Sequence, residues 1–509
     1  VIVLISEKAT IESVLISKDT TQKMYINGEW VLSESNQTRE IINPANGEVI
    51  GTVTEGSTED AKKAIEAARK AFYVNGWMNS KARHRAELLL QVSNKLEARK
   101  EEFAYLDTLN NGKTVRESLA DVEDAVNQLR YYAGLATKPH GQTYDVPDDI
   151  QALVVREPIG VVGLIVPWNY PLVMANQKIA AALAAGCTVV VKPAQQTPLS
   201  VIRLFEIIDE VGFPPGVVNL VLGPGSKVGS ELVSNPDVDK ISFTGGTDTG
   251  IRLMKSAADT VKKISLELGG KSPNIVFADA DFETAVDYAL FAIFANQGQV
   301  CSAGSRLLLE ESLYEKFVPE LVRRAKMIKV GPGWEEGVEM GPLVSEDHMN
   351  TVLDYIEIGK NEGATLLCGG NRIVEGDYSK GYFVEPTIFG DTTPNMRIVQ
   401  EEIFGPVLVI QTFKTEEEAL ELANGTAFGL AGGVFTNDGA KAQRVIRGLR
   451  AGITWINTYH PTFNEAPWGG YKMSGIGRDL GTYGFDEYLE TKQINISLYV
   501  EPSGFFQGK

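Results

Sequence analysis

Cysteine and histidine are scarce in this chain. Its 509 residues hold three of the first (Cys187, Cys301, Cys368) and four of the second (His84, His140, His348, His460). The cysteines make no Cys-x-x-Cys pair and no regular framework, which argues against a disulfide-stapled fold. No His/Cys spacing suits zinc, so no metal is expected. Long apolar runs are also missing: none reaches the ~20 residues that a membrane-crossing helix needs. Positive charge is in deficit, with 48 Lys+Arg against 66 Asp+Glu and a formal net charge of −18. Such a field repels a phosphate backbone or an anionic membrane, so neither is an expected partner. Val1 to Ser6 are apolar but too short, and lack the basic flank of a signal peptide. Residues 1–22 read as an N-terminal extension, and unpaired thiols suit a reducing cytoplasm.

What is present is globular composition, 43% hydrophobic and 22% charged, in a chain long enough for two or three domains. Ser57 with Asp60 three residues on predicts a capping box, followed by an apolar face of Ala61, Ile65, Ala68 and Phe72. From Val161 the chain alternates: an apolar strand closed by Pro167, a helix with Pro171 in its first turn and Gly186 as its stop, then the strand Thr188–Lys192. A helix over 198–211, a strand over Val217–Leu222 and another at Lys240–Phe243 follow. This alternation predicts a parallel α/β sheet with right-handed crossovers. It restarts after residue 270, from Asn274–Phe277 to Gly341, as a second α/β unit. The stretch Gln142–Val155, polar and proline-broken, reads as an excursion ending in β-structure.

Five segments carry chemistry. Gly223-Pro-Gly225-Ser-Lys-Val-Gly229 stands between a strand and a helix, where backbone N–H groups can approach a phosphate. Its spacing is one residue longer than G-x-G-x-x-G, and a plain βα turn explains it as well. Phe243-Thr-Gly245-Gly246-Thr247 is a second such turn. Leu266-Glu267-Leu268-Gly269-Gly270 puts a carboxylate in an apolar strand, where burial raises its pKa toward that of a general base; a Glu reaching solvent at a strand end is the simpler alternative. Gln297-Gly-Gln-Val-Cys301-Ser-Ala-Gly surrounds a cysteine with small and polar residues, which predicts an accessible thiolate, whereas Cys187 and Cys368 read as core residues. Pro167-Trp168-Asn169-Tyr170-Pro171 closes the first strand, and Asn169 offers either an amide N–H to an oxyanion or a helix cap.

The motifs PWNYP, VVVKPAQQTP, FTGGTDTG, LELGGKSPNIVF, GQVCSAGSR, EEIFGP and PWGGYKMSGIGRDLG resemble, in order, those of the hydrolytic aldehyde dehydrogenases, from about Lys23 to Lys492. The resemblance implies a Rossmann-type cofactor domain over 23–137 and 157–269, an α/β catalytic domain over 270–480, and a small β oligomerisation element over 138–156 and 481–509. It also implies a homodimer or homotetramer. Cys301 then matches the nucleophile, Glu267 the base, Asn169 the oxyanion donor and Lys178 a lysine assisting proton movement. NAD or NADP is expected at Ile165, Pro167, Trp168, Lys192, Gln195, Gly225, Gly229, Phe243, Gly245, Gly246, Thr249, Leu268, Glu402 and Phe404. The substrate is expected at Tyr170, Gln177, Ala295 and Trp468.

There are three departures from the pattern. Gln195 stands where NAD-preferring relatives often carry Glu, so NADP should be tolerated alongside NAD. The stretch Tyr459–Trp468 is similar to betaine aldehyde dehydrogenases, which cage a quaternary ammonium in aromatic faces. Tyr170 and Trp468 keep such aromatics, but Gln177 and Ala295 do not. The expectation is therefore a broad enzyme admitting bulky apolar aldehydes as large as retinal, with betaine aldehyde as the alternative. Asp479 replaces a frequent Glu, with little effect expected. A catalytically silent relative, a coenzyme A-acylating enzyme and a cysteine esterase are disfavoured by the joint presence of Cys301, Glu267, Asn169 and the glycine turns.

Overall fold

The computed structural model describes residues 20–147 and 149–506. Most of the 1–22 extension lies outside them; Thr21–Gln22 pair in parallel with Thr52 and Val53 in a small sheet. The capping box forms as predicted, with Ser57 Oγ accepting from the Asp60 amide and Asp60 Oδ2 from the Ser57 amide, 2.8 Å away. It opens the helix Thr58–Arg69, whose Ala61, Ile65 and Ala68 are buried, and Phe72 is buried in the turn beyond. Burial of Ile65 or Phe72 contributes about 1.5–3 kcal/mol relative to exposure.

Five parallel strands form the centre of an eight-stranded sheet, ordered Lys263–Glu267, Lys240–Thr244, Val161–Ile165, Thr188–Lys192, Val218–Leu220. Every residue of the three middle strands is buried, as expected for β-branched runs covered on both faces. The hairpin Met24–Ile26/Glu29–Val31 and the short strand Gly475–Ile476 add antiparallel edges. In chain order the parallel strands run 5-4-1-2-3, so the order reverses between Val161–Ile165 and Lys240–Thr244. Ligands of open α/β sheets bind at the carboxyl ends of strands beside such a reversal.

The second unit is a seven-stranded sheet, parallel except where Thr365–Cys368 pairs with Thr387–Gly390. A third, antiparallel sheet joins Gln142–Tyr144, Ile150–Pro158 and Leu489–Ser497. Pro171–Ala185 forms the helix after the first strand, with Pro171 at its start and Gly186 at φ 99° ending it. Its small-residue run is buried all round, which lets it pass between the sheet and the helix Val115–Leu135.

Candidate active site

Two cavities meet at Cys301. One, of about 270 Å³, opens at the strand-order reversal and is lined by Pro167, Trp168, Asn169, Gly245, Gly246, Glu267, Leu268, Cys301, Glu402 and Phe404. The other, of about 240 Å³, is lined by Tyr170, Gln177, Ala295, Trp468 and Cys301 among others. Residues expected for cofactor and for substrate thus fall on opposite sides of one sulfur, and Met174 is also common to both.

The loop that carries Cys301 is held from several directions. Asn296 and Gln297 adopt left-handed φ of 45° and 58°. The strain is held by hydrogen bonds: Gln297 Nε2 to the Pro342 carbonyl (3.0 Å), the Asn296 amide to Glu117 Oε1 (2.8 Å), and the Val344 amide to Gln299 Oε1 (3.0 Å). Asn169 Nδ2 donates to the Gln299 carbonyl at 2.9 Å, which fixes its amide beside the loop and leaves its second N–H for the cavity. Asn169 does not cap the following helix, whose N-cap is Tyr170.

Close approach explains the glycines after Glu267. A Cβ on Gly269 would stand 2.1 Å from Glu402 Oε2, and one on Gly270 would stand 2.5 Å from the Cys301 carbonyl. Glu402 accepts from the Gly270 amide at 2.9 Å. Burial pushes the Glu402 carboxyl up to about 7, against the pull of that amide and of Lys271. Glu267 ends its strand buried, and neither of its oxygens has a hydrogen-bond partner among the described residues. Burial first, and then the charge of Asp479, raise its carboxyl well above the usual carboxylate range, as the sequence led us to expect.

Cys301 corrects one expectation. Its side chain is partly accessible, but burial, then Glu402 and Glu267, push its thiol up to about 12. Burial, ahead of the charges of Glu402 and Glu267, disfavours the thiolate that its polar sequence neighbours led us to expect. Cys187 is the buried core thiol anticipated, and Cys368 is buried as well.

Other predicted residues lie outside the two cavities. Ile165 and Phe243 are register partners in the strands beneath, and Thr249 Oγ1 accepts from Arg252 (3.0 Å) on the next helix. Lys192, Gln195, Gly225 and Gly229 lie farther along the sheet. Gly225–Gly229 forms a single π-turn entering the short helix Ser230–Ser234, and a Cβ on Gly229 would touch the Lys192 side chain. Lys178 is buried behind the site, donating to Ser242 Oγ (2.9 Å) and Asp479 Oδ2 (2.7 Å). Asp479 also accepts from Gln177 Nε2 at 2.8 Å, and its backbone pairs with that of Trp468. Asp479 thus ties a substrate-side residue to Lys178, and its charge acts on Glu267.

Sequence reasoning missed the acidic wall. Glu117, Asp121 and Asp124 stand four and three residues apart on the helix Val115–Leu135, and all line the Cys301 cavity with Tyr170 and Trp468. Among the described residues, no lysine or arginine lines that cavity. The spacing i, i+4, i+7 was the available signal. Lys113 lies behind the wall, 2.6 Å from Asp121 and 3.8 Å from the centre of the Tyr170 ring. His460 also lines the cavity, and burial lowers its ring to about 4, so it is neutral. His348, likewise missed, lines the other cavity, bonds the Phe404 carbonyl (2.7 Å) and meets the Trp168 ring at 5.1 Å.

The model of the aldehyde dehydrogenase family matches residues 30–494. The chain is 53% identical over 475 residues to a betaine aldehyde dehydrogenase of Bacillus subtilis (strain 168), covering 93% of this chain and 97% of that one. It is 44% identical over 494 residues to the peroxisomal aminoaldehyde dehydrogenase 2 of Pisum sativum, covering 96% and 98%. Among solved structures, a betaine aldehyde dehydrogenase of Staphylococcus aureus in complex with NAD+ superposes with a TM-score of 0.96 at 49% identity, covering 97% and 98%.

Proposed function

Because this chain belongs to the aldehyde dehydrogenase family, we propose that it oxidises small cationic aldehydes, betaine aldehyde first among them, to their carboxylates with NAD or NADP. The observation that carries this is the acidic wall of Glu117, Asp121 and Asp124 opening onto the same cavity as Cys301. Even with Lys113 neutralising one carboxylate, the wall keeps an excess of negative charge, and Tyr170 and Trp468 add aromatic faces. A bulky apolar aldehyde gains nothing from that charge and must desolvate it. The relatives named for betaine aldehyde and aminoaldehydes agree with the cationic reading. Gln177 and Ala295 do line the cavity as expected, but Gln177 is tethered to Asp479 rather than withdrawn to make room.

The cofactor fits the larger cavity: Gly245 and Gly246 leave backbone exposed there, and Glu402 with Phe404 forms the wall facing them. When bound, the nicotinamide supplies the hydride acceptor. The chain's own residues do the rest. Glu267 takes the proton of the Cys301 thiol, and the sulfur attacks the aldehyde carbon. The second Asn169 N–H and the Cys301 backbone N–H hold the resulting alkoxide. Loss of hydride leaves a thioester on Cys301. Once Glu267 has passed the thiol's proton on to solvent, it takes a proton from water, whose oxygen attacks the thioester carbon; the sulfur leaves as thiolate and the acid is released. Lys178 lies close enough for its charge to act on Glu267.

We further assign the first sheet with its covering helices to the cofactor domain and the seven-stranded sheet to the catalytic domain. Oligomerisation falls to the antiparallel sheet, whose last strand and its continuation expose Ile494, Ile496, Leu498 and Tyr499. No helix among the described residues is long and apolar enough to cross a membrane; three unpaired thiols suit work in the cytoplasm. The test is absorbance at 340 nm with betaine aldehyde, 3-aminopropionaldehyde and retinal. Higher kcat/KM for the two cations supports the reading, and retinal turned over best overturns it.

A further inference from the structure

We propose that Glu55 locks the orientation of the Gln195 amide and so makes the adenosine end of the cofactor site select NAD over NADP. The inference rests on the expectation above that Lys192 and Gln195 lie at the cofactor, and reads them as facing its adenine ribose. Gln195 Nε2 donates to Glu55 Oε1 at 2.8 Å. Arg39 clasps the same carboxylate through Nε to Oε2 (2.8 Å) and Nη2 to Oε1 (2.6 Å). The Glu55 side chain is only 11% exposed, so the clasp holds it in place.

A carboxylate can only accept hydrogen bonds, so the amide nitrogen must face Glu55 and the amide oxygen must face away from it. Gln195 therefore presents an acceptor to its surroundings, as a glutamate would, and suits the hydroxyl donors of an unmodified ribose. A 2′-phosphate is itself an acceptor. One Nε2 hydrogen is spent on Glu55, so only the other can be offered while the amide oxygen repels the phosphate; to turn that oxygen away the amide must rotate, which would set it against Glu55 Oε1 with no proton between them. That arrangement costs a hydrogen bond to a charged group and adds repulsion. Arg39 keeps Glu55 from swinging clear. Lys192, buried beside them with its ammonium on the Pro193 carbonyl (3.0 Å), offers one cation for a phosphate, and burial lowers it to about 8. Gln195 taken alone implies indifference between the two cofactors; Gln195 backed by Glu55 implies preference.

The test uses the whole protein without substrate and reads binding of 5′-ADP and 2′,5′-ADP by titration calorimetry. Wild type should bind 5′-ADP at least about tenfold more tightly. In Glu55→Gln, and in Glu55→Ala should the new amide rebuild the old bond, that ratio should fall by about tenfold. Melting curves confirm that each variant is folded. Arg39, once released, could itself reach a phosphate, so the double variant Arg39→Gln/Glu55→Gln decides the cause. A ratio that stays low in the double variant supports amide locking; a ratio restored to the wild-type value assigns the effect to Arg39 and overturns it. An unchanged ratio in both Glu55 variants also overturns it, while leaving the cofactor site in place. If neither nucleotide binds wild type, the cofactor-site reading fails and takes the proposal with it.

Discussion

The two cavities that share Cys301 are built differently. The larger owes part of its wall to what glycine leaves open: Gly245, Gly246 and Gly269 line it, and Glu402 fills the space that a Cβ on Gly269 would take. The smaller is walled by residues of three helices, a strained loop and the segment Thr462–Trp468, with three carboxylates and, among the described residues, no lysine or arginine on its surface. A backbone-built site tolerates few residues at each position, because one added carbon blocks it. A site built from side chains can change ligand by changing a single tip. The first should hold one cofactor chemistry, and the second should decide which aldehyde enters.

The sharpest way to separate the two is to remove what they share. Cys301→Ala should lower turnover by at least about 10⁴-fold while leaving binding on both sides intact, measured by calorimetry with nucleotide and with aldehyde separately. Lost nucleotide binding would mean that the cavities are not independent. Glu267→Gln comes next, with an expected loss of about 10²–10⁴-fold in kcat at unchanged nucleotide binding, since the thiol step and the water step need the same base. A one-sided change follows. Gly269→Ala drives a Cβ into Glu402 and should cost up to about 10²-fold in cofactor KM, with aldehyde KM within twofold of wild type.

The same contrast explains what could be read in the sequence. The parallel sheet, its strand ends and the capping box were legible because apolar runs, Pro171, Gly186 and the Ser57–Asp60 pair each act locally. Glu267, Cys301 and Asn169 were legible for a related reason: each sits in a short motif whose glycines and small residues exist to let backbone come close. The raised thiol of Cys301 was not legible, because it comes first from burial in the folded chain and then from Glu402, which lies 101 positions away. Nor was the importance of Asp479, which acts through Lys178 and Gln177 some 300 residues earlier. The acidic wall was hidden in plain view. Glu117, Asp121 and Asp124 look like the solvated face of any charged helix until folding sets that face opposite the Cys301 loop.

That wall gives the smallest and most discriminating effect. Asp124 stands exposed at the cavity edge, and its partly enclosed setting, then the charges of Asp121 and Glu123, push its carboxyl up to about 6. A raised carboxyl pKa means that the group is charged above about 6 and neutral below it. Affinity for a cationic aldehyde should therefore be full at pH 7.5 and decline as pH falls through about 6, whereas KM for a neutral aldehyde should not follow that curve. Asp124→Asn should raise KM for betaine aldehyde about three- to tenfold at pH 7.5, with kcat and cofactor KM held, and should flatten the acid limb. Exposure at the edge keeps the effect modest, because solvent and salt screen the charge. Raising the ionic strength should shrink the wild-type advantage and leave the variant unmoved. Equal KM for wild type and variant at every pH would assign cation recognition to Tyr170 and Trp468 instead of the carboxylates.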